Sequence, residues 1–146
     1  MLDNKTLTEI ESKIVVVNDP FPHSSSKFFL PEEVIKMAEK EFISFSKNKD
    51  AGNSLFQKTK KTYENYQVLP NTIKKIIDFF YSKEFIKILE KKFNLINVEP
   101  DWTLHGGGLH QSYKGGFLKV HSDFLYMRKS KFRRVLNLLL YLNSNW

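Results

Sequence analysis

Apolar residues recur at helical spacing in three stretches of the chain. Val34, Ile35, Ala38, Phe42 and Phe45 form one stripe, which predicts a helix that opens at Pro31 and fades by Ser46. Pro31 suits a first helical turn, where its missing N–H leaves no bond unmade, and Glu32 and Glu33 lie at the positive end of the helix dipole. Pro70 opens a second helix with Ile73, Ile76, Ile77 and Phe80 on one face. Ser82 then reads as the N-cap of a third helix through Phe85, Ile86, Leu89 and Phe93. Between the first two helices, Lys47–Asn53 reads as a polar loop. Residues 54–68 are ambiguous, because Leu55, Phe56, Tyr63, Tyr66 and Val68 fit neither the helical nor the strand period.

Continuous or alternating apolar runs mark strands elsewhere. Lys13–Val17 reads as a short strand, ended by Asp19-Pro20-Phe21-Pro22, because proline cannot donate to a ladder. After Pro100 the character changes: Trp102–Leu104, Phe117–His121 and Val135–Leu142 read as strands, separated by Gly106-Gly107-Gly108 and by a tight turn at Gly115-Gly116. Asn137 is the one strongly polar break in the last of them. Helices first and a sheet afterwards predict an α+β domain, with helices packed on one face of an antiparallel sheet. The whole of 1–146 is expected to be one domain, with a mainly helical support region over 1–100 and the first sheet strands over 101–146.

Composition narrows the chemistry. Apolar residues make up 41% of the chain and phenylalanine occurs 13 times, enough to build a core. There is no cysteine, which excludes disulfides, zinc–thiolate sites and thiol nucleophiles. The polar N-terminus lacks the basic start and apolar core of a secretory signal, and the run near Leu138–Leu142 is far too short to span a bilayer. A soluble cytoplasmic protein without a membrane partner is the expectation. The net charge of +7 is uneven: residues 1–73 carry ten Lys and ten Asp or Glu, whereas residues 74–146 carry thirteen Lys or Arg against six acidic residues. The densest basic run, Arg128, Lys129, Lys131, Arg133 and Arg134, reads as the solvated turn of a hairpin.

His121-Ser122-Asp123 carries the candidate chemistry. On a strand, residues i and i+2 point to the same face, so an imidazole nitrogen and a carboxylate oxygen can reach one metal ion. Two histidines and one carboxylate form the facial triad of non-heme iron(II) oxygenases. Taken alone, His-x-Asp is a weak signal that better describes a solvent-facing or hydrogen-bonded pair. Its surroundings extend the pattern: Gly106-Gly107-Gly108-Leu109-His110-Gln111, then Gly115-Gly116-Phe117-Leu118-Lys119-Val120-His121-Ser122-Asp123-Phe124, then Arg133-Arg134-Val135-Leu136-Asn137-Leu138-Leu139-Leu140-Tyr141-Leu142-Asn143. Over residues 104–146 this order and spacing resembles the prolyl 4-hydroxylase-like branch of the 2-oxoglutarate/Fe(II)-dependent oxygenases.

The resemblance implies a double-stranded β-helix, or jelly-roll, with His121 and Asp123 as the first two iron ligands. It also implies Fe(II) and 2-oxoglutarate as cofactors, ascorbate to keep the iron reduced, and O2 and an unknown C–H substrate as reactants. The family's third ligand, a later histidine, has no counterpart here, since no His follows His121. Its later Arg or Lys, which pairs the 2-oxoglutarate carboxylate, is absent as well. Arg133 or Arg134 is a candidate for that clamp, with Gln111 and Tyr113 as polar substitutes for the family's tyrosine at the position of Leu118. His105 and His110 read as local hydrogen-bonding or pocket-lining residues, and His23 as an exposed loop residue, rather than as ligands. The aromatic residues Trp102, Phe117, Phe124 and Tyr126 read as core, which argues against nucleic acid as a partner. A truncated, inactive oxygenase domain is the expectation. The alternative is a non-catalytic oxygenase-like module that pairs its open sheet edge with a partner protein.

Overall fold

The computed structural model describes residues 3–27, 29–46, 57–127 and 131–143, with backbone alone at 57–59. The polar loop expected at Lys47–Asn53 lies outside the described residues, as do Arg128 and Lys129 of the basic run. The element order is α1 (Asn4–Lys13), α2 (Glu32–Ser46), β1 (Gln57–Tyr63), a short 3₁₀ turn (Tyr66–Val68), α3 (Asn71–Phe80), α4 (Lys83–Phe93) and β2 (Leu109–Leu118). Helix and strand are thus combined, but in a different order from that expected. One strand precedes the second pair of helices and its partner follows them in sequence. The chain divides into two compact units. The first draws on Met1–Ser44, Pro70–Pro100 and Leu142–Trp146, and the second on Phe45–Leu69 and Asp101–Tyr141.

The first unit is helical. Asp3 caps α1 by accepting from the Thr6 N–H at 2.9 Å, and these hydrogen bonds hold its carboxyl below the usual range. The helix runs to Lys13, so the strand expected over Lys13–Val17 is not formed. Only Val17 makes a bridge, with His23, and Ile14 turns into the core behind Ile10. The capped helix takes Lys13, and among the described residues Ile14–Val17 gain only the single Val17–His23 bridge, too little pairing for a strand.

The helices expected at Pro31, Pro70 and Ser82 form as α2, α3 and α4. Ser82 accepts from the Phe85 N–H at 3.3 Å. The α3 N-terminus has no cap of its own, because Pro70 has none to give. Glu41 of α2 supplies one: its two carboxylate oxygens accept from the Thr72 N–H and from the Thr72 hydroxyl, each at 2.8 Å. A carboxylate at that end also meets the positive pole of the helix.

Phe29, Phe79, Phe80 and Phe85 cluster, with Phe80 and Phe85 ring centroids 5.0 Å apart and Phe29 and Phe85 edge to face at 6.4 Å. Phe85 is fully buried. On the surface, Lys91 of α4 reaches Glu11 of α1 at 2.8 Å, and this hydrogen bond holds the Glu11 carboxyl below its usual range. An exposed pair of this kind aligns the helices but contributes little stability.

The second unit is built on one antiparallel pair. Lys60, Lys61, Thr62 and Tyr63 face Ser112, Gln111, His110 and Leu109, and Gln57 and Lys58 face Leu118 and Phe117. The register slips between Lys58 and Lys60, where residues 113–116 of β2 lie opposite a single residue of β1. Gly115, with φ of 76°, sits in this bulge. Gly115-Gly116 is therefore a bulge within one strand and not the expected turn between two. On the inner face, Lys61 and Tyr63 are buried. The Lys61 ammonium donates to the Ser46 carbonyl at 3.2 Å, satisfying the end of α2, and lies 5.4 Å from the Tyr113 ring centroid. The Tyr63 ring meets Phe45 at 5.0 Å.

The other expected strands are not formed. Trp102–Leu104 is a turn, because the Asp101 carboxylate accepts from both the N–H and the hydroxyl of Thr103, at 2.9 and 2.6 Å. This local bonding competes with extended pairing. Phe117–His121 stays in the ladder only to Leu118, where pairing with Gln57 ends. Val135–Leu142 is extended but belongs to no strand. Among the described residues it pairs with neither strand of the sheet, and Val135 and Leu139 remain 54% and 70% exposed. Tyr126 bridges Arg133 and the Met127 N–H donates to the Phe132 carbonyl at 2.9 Å; the turn expected at the basic run lies outside the described residues. No helix among the described residues is long and apolar enough to cross a membrane.

Two substitutions test the two units separately. Phe85→Ala should cost about 3–5 kcal/mol in urea unfolding, by opening a cavity among the stacked rings. At Gly108, φ is 74° and a Cβ would overlap the Tyr63 carbonyl oxygen of the opposite strand. Gly108→Ala should therefore lose more than the about 1–3 kcal/mol of a left-handed backbone alone, read as a lower urea midpoint in the same measurement.

Candidate metal centre

Beyond Leu118 the chain leaves the sheet, and the Lys119 carbonyl is free to accept from a side chain two residues on. His121 Nδ1 lies 2.8 Å from that oxygen. A carbonyl oxygen only accepts, so Nδ1 carries the proton, and in the neutral ring Nε2 presents its lone pair. That lone pair faces the carboxylate of Asp123, with Nε2 3.5 Å from Oδ1. Both side chains are about half exposed, at 47% and 56%. The expected pairing is thus present, but not through neighbouring pleats of a strand: the backbone bends, and the carbonyl lock on His121 sets the convergence.

The separation distinguishes what the pair can do. A charge-assisted N–H···O bond closes to about 2.7–2.9 Å. Two neighbouring ligand atoms, each about 2.1 Å from a divalent ion, stand about 3.0 Å apart in octahedral geometry and about 3.4 Å apart in tetrahedral geometry. At 3.5 Å the pair is wider than a charge-assisted bond and than the octahedral separation, and close to the tetrahedral one. Two lone-pair donors that face each other also gain from a cation between them. The far oxygen of Asp123 has its own neighbour, the Asn137 side-chain amide, which donates to Oδ2 at 3.5 Å.

A second cluster supports the segment from behind. Glu64, just past β1, accepts from the Gly106 N–H at 3.0 Å through one oxygen and lies 3.5 Å from His105 Nδ1 through the other. The His105 ring stacks on Phe124 at 5.3 Å, and the Arg134 guanidinium lies 5.8 Å from the same ring. Arg134 also donates to the His105 carbonyl oxygen. Phe124 follows Asp123 directly, so this packing holds the His121–Asp123 segment from its C-terminal side.

The other candidates are placed elsewhere. Arg134 is half-buried and engaged with His105 and Phe124, and Arg133 is exposed on the hairpin. Gln111 accepts from the Tyr113 hydroxyl at 3.1 Å, and alternation along β2 turns it to the opposite face from His110. Among the described residues, none of the three contacts His121 or Asp123. His23 bonds locally, its Nδ1 2.9 Å from the Phe21 carbonyl. His110 likewise places Nε2 2.8 Å from the Gly107 carbonyl. No group of three or more His, Cys, Asp or Glu side chains that could hold a metal is found among the described residues. Sequence reasoning did not single out Glu64 or link Asn137 to Asp123; the partner strand that delivers Glu64 lay in the ambiguous region.

Compared with models of known families, with functionally characterised proteins and with solved structures, the chain matches none.

His110 reports on this neighbourhood. Loss of water around its ring, and then the Lys60 charge, push its pKa below the ordinary 6.5, while the Gly107 carbonyl, Glu64 and Asp123 act the other way. The folded protein therefore favours the neutral ring, and the unfolded chain binds more protons. The resulting stability is fully present above about pH 6.5 and is lost as the pH falls through the lower, folded value. By NMR titration, the His110 ring should show a midpoint below 6.5, and Lys60→Ala should move it upward.

Proposed function

We propose that the chain carries two of the three iron ligands of a prolyl 4-hydroxylase-like, 2-oxoglutarate-dependent oxygenase, with His121 and Asp123 as the pair. One observation carries the proposal: a tautomer-locked Nε2 and a carboxylate oxygen, both accessible, converge at 3.5 Å within a motif order that resembles this family. Both donor types suit Fe(II), a neutral imidazole and an ionised carboxylate. When bound, the iron would use dioxygen to convert 2-oxoglutarate to succinate and carbon dioxide and hydroxylate a C–H bond of the substrate, with ascorbate keeping it ferrous.

The chain's own part in this chemistry is to hold and orient. Lys119 fixes which nitrogen of His121 is offered, Asp123 supplies the negative charge, and the Glu64–His105–Phe124–Arg134 packing keeps the segment in place. Arg133 remains a candidate partner for the carboxylate of 2-oxoglutarate, being exposed and positively charged. Arg134 would first have to release the His105 carbonyl, and Gln111 the Tyr113 hydroxyl. We read the two-stranded sheet as part of a jelly-roll and the setting as cytoplasmic.

A non-catalytic module is the second reading, favoured by the exposed apolar side chains of Val135, Leu138 and Leu139. Such a surface suits strand addition by a partner protein.

Titration calorimetry with Mn(II), a redox-stable stand-in for Fe(II), separates the two. Wild-type chain should bind one ion weakly, and His121→Ala and Asp123→Ala should each weaken binding by more than about tenfold, the loss seen on removing even an outer-shell partner. With Fe(II), 2-oxoglutarate and ascorbate present, the 146-residue chain should yield little or no succinate. Equal binding by wild type and both variants would leave the module as the surviving reading.

A further inference from the structure

We infer that Asn137 is a positioning residue for the metal-binding carboxylate, an assignment that rests on the function proposed above. Asn137 is the single strongly polar side chain in an otherwise apolar run from Val135 to Leu142. Its side chain is exposed. The structure gives it a partner: its Nδ2 donates to Asp123 Oδ2 at 3.5 Å, while Oδ1 of the same carboxylate faces His121 Nε2.

A carboxylate on a short side chain can rotate about its last bond and exchange its two oxygens. Unrestrained, it can present either oxygen, or both, to an ion. An amide N–H on one oxygen breaks that equivalence. The Asn137 amide lies on the Oδ2 side at 3.5 Å, a long contact, so Oδ1 is the oxygen turned toward the position shared with His121. The amide is the right group for this task. It donates without adding charge, so it orients the carboxylate while leaving its negative charge for the metal. A lysine there would orient it too but would compete with the cation. Together with the Lys119 carbonyl on His121, Asn137 gives each of the two ligands an outer partner that selects one donor atom, the arrangement by which outer-shell groups tune metal sites.

The test has two arms on the 146-residue chain. In the metal-free protein, the side-chain amide resonances of Asn137 are followed by ¹H–¹⁵N NMR in wild type and in Asp123→Ala. In the second arm, Mn(II) affinity is measured for wild type, Asn137→Ala, Asn137→Gln and His121→Ala, with circular dichroism and thermal midpoints to show that each is folded. The inference expects the amide pair to shift in Asp123→Ala. It also expects Asn137→Ala to bind Mn(II) about tenfold more weakly at an unchanged thermal midpoint, with part of the affinity restored in Asn137→Gln. An amide pair that does not move overturns the inference whatever the metal does. Wild-type affinity in Asn137→Ala, with binding lost in His121→Ala, overturns it while leaving the iron proposal intact. A wild-type chain that binds no Mn(II) overturns both.

Discussion

The antiparallel pairing of Gln57–Tyr63 with Leu109–Leu118 is the constraint on which the second unit rests. It joins segments separated by two helices in sequence, so its loop-closure entropy must be recovered by what the pairing creates. Two contacts show what that is. Gly108 brings its backbone against the Tyr63 carbonyl as no side-chain-bearing residue could, and the chain leaving β1 delivers Glu64 to Gly106 and His105. Through His105 and Phe124, the same pairing reaches the residue next to Asp123.

The helices were legible because their signals are local. Ser82 three residues before Phe85, Pro70 at the α3 entrance, and Ile73 and Ile76 one turn apart each state a helical bond or face without reference to distant residues. The strands were not, because a strand exists only with a partner. β1 reads Gln-Lys-Thr-Lys-Lys-Thr-Tyr, and its buried Lys61 inverts the usual polarity of an inner face. Only the Ser46 carbonyl and the Tyr113 ring make that burial sensible. Conversely, Val135–Leu142 has every compositional mark of a strand, yet among the described residues it pairs with neither strand of the sheet. Near the N-terminus, α1 lay hidden behind β-branched Ile14–Val17, although Asp3 and Thr6 already formed its cap.

The two proposed ligands were visible as residue types and as a spacing; the geometry that joins them was not. An i, i+2 pleat was the expected mechanism. The structure instead uses a carbonyl two residues before the histidine, a device that any sequence can provide and none announces. Arg134 illustrates the opposite error: a cation close by in sequence looks available for an anion until its hydrogen bond to a backbone carbonyl is seen.

The apolar run and the His121–Asp123 pair meet in one residue. Any chain that laid a strand along Val135–Leu142 would fix the backbone on both sides of Asn137, and with it the angle at which the amide approaches Asp123. Covering the greasy run would then sharpen the aim of a carboxylate it never touches, making assembly at one face of this unit a determinant of ligand geometry at another.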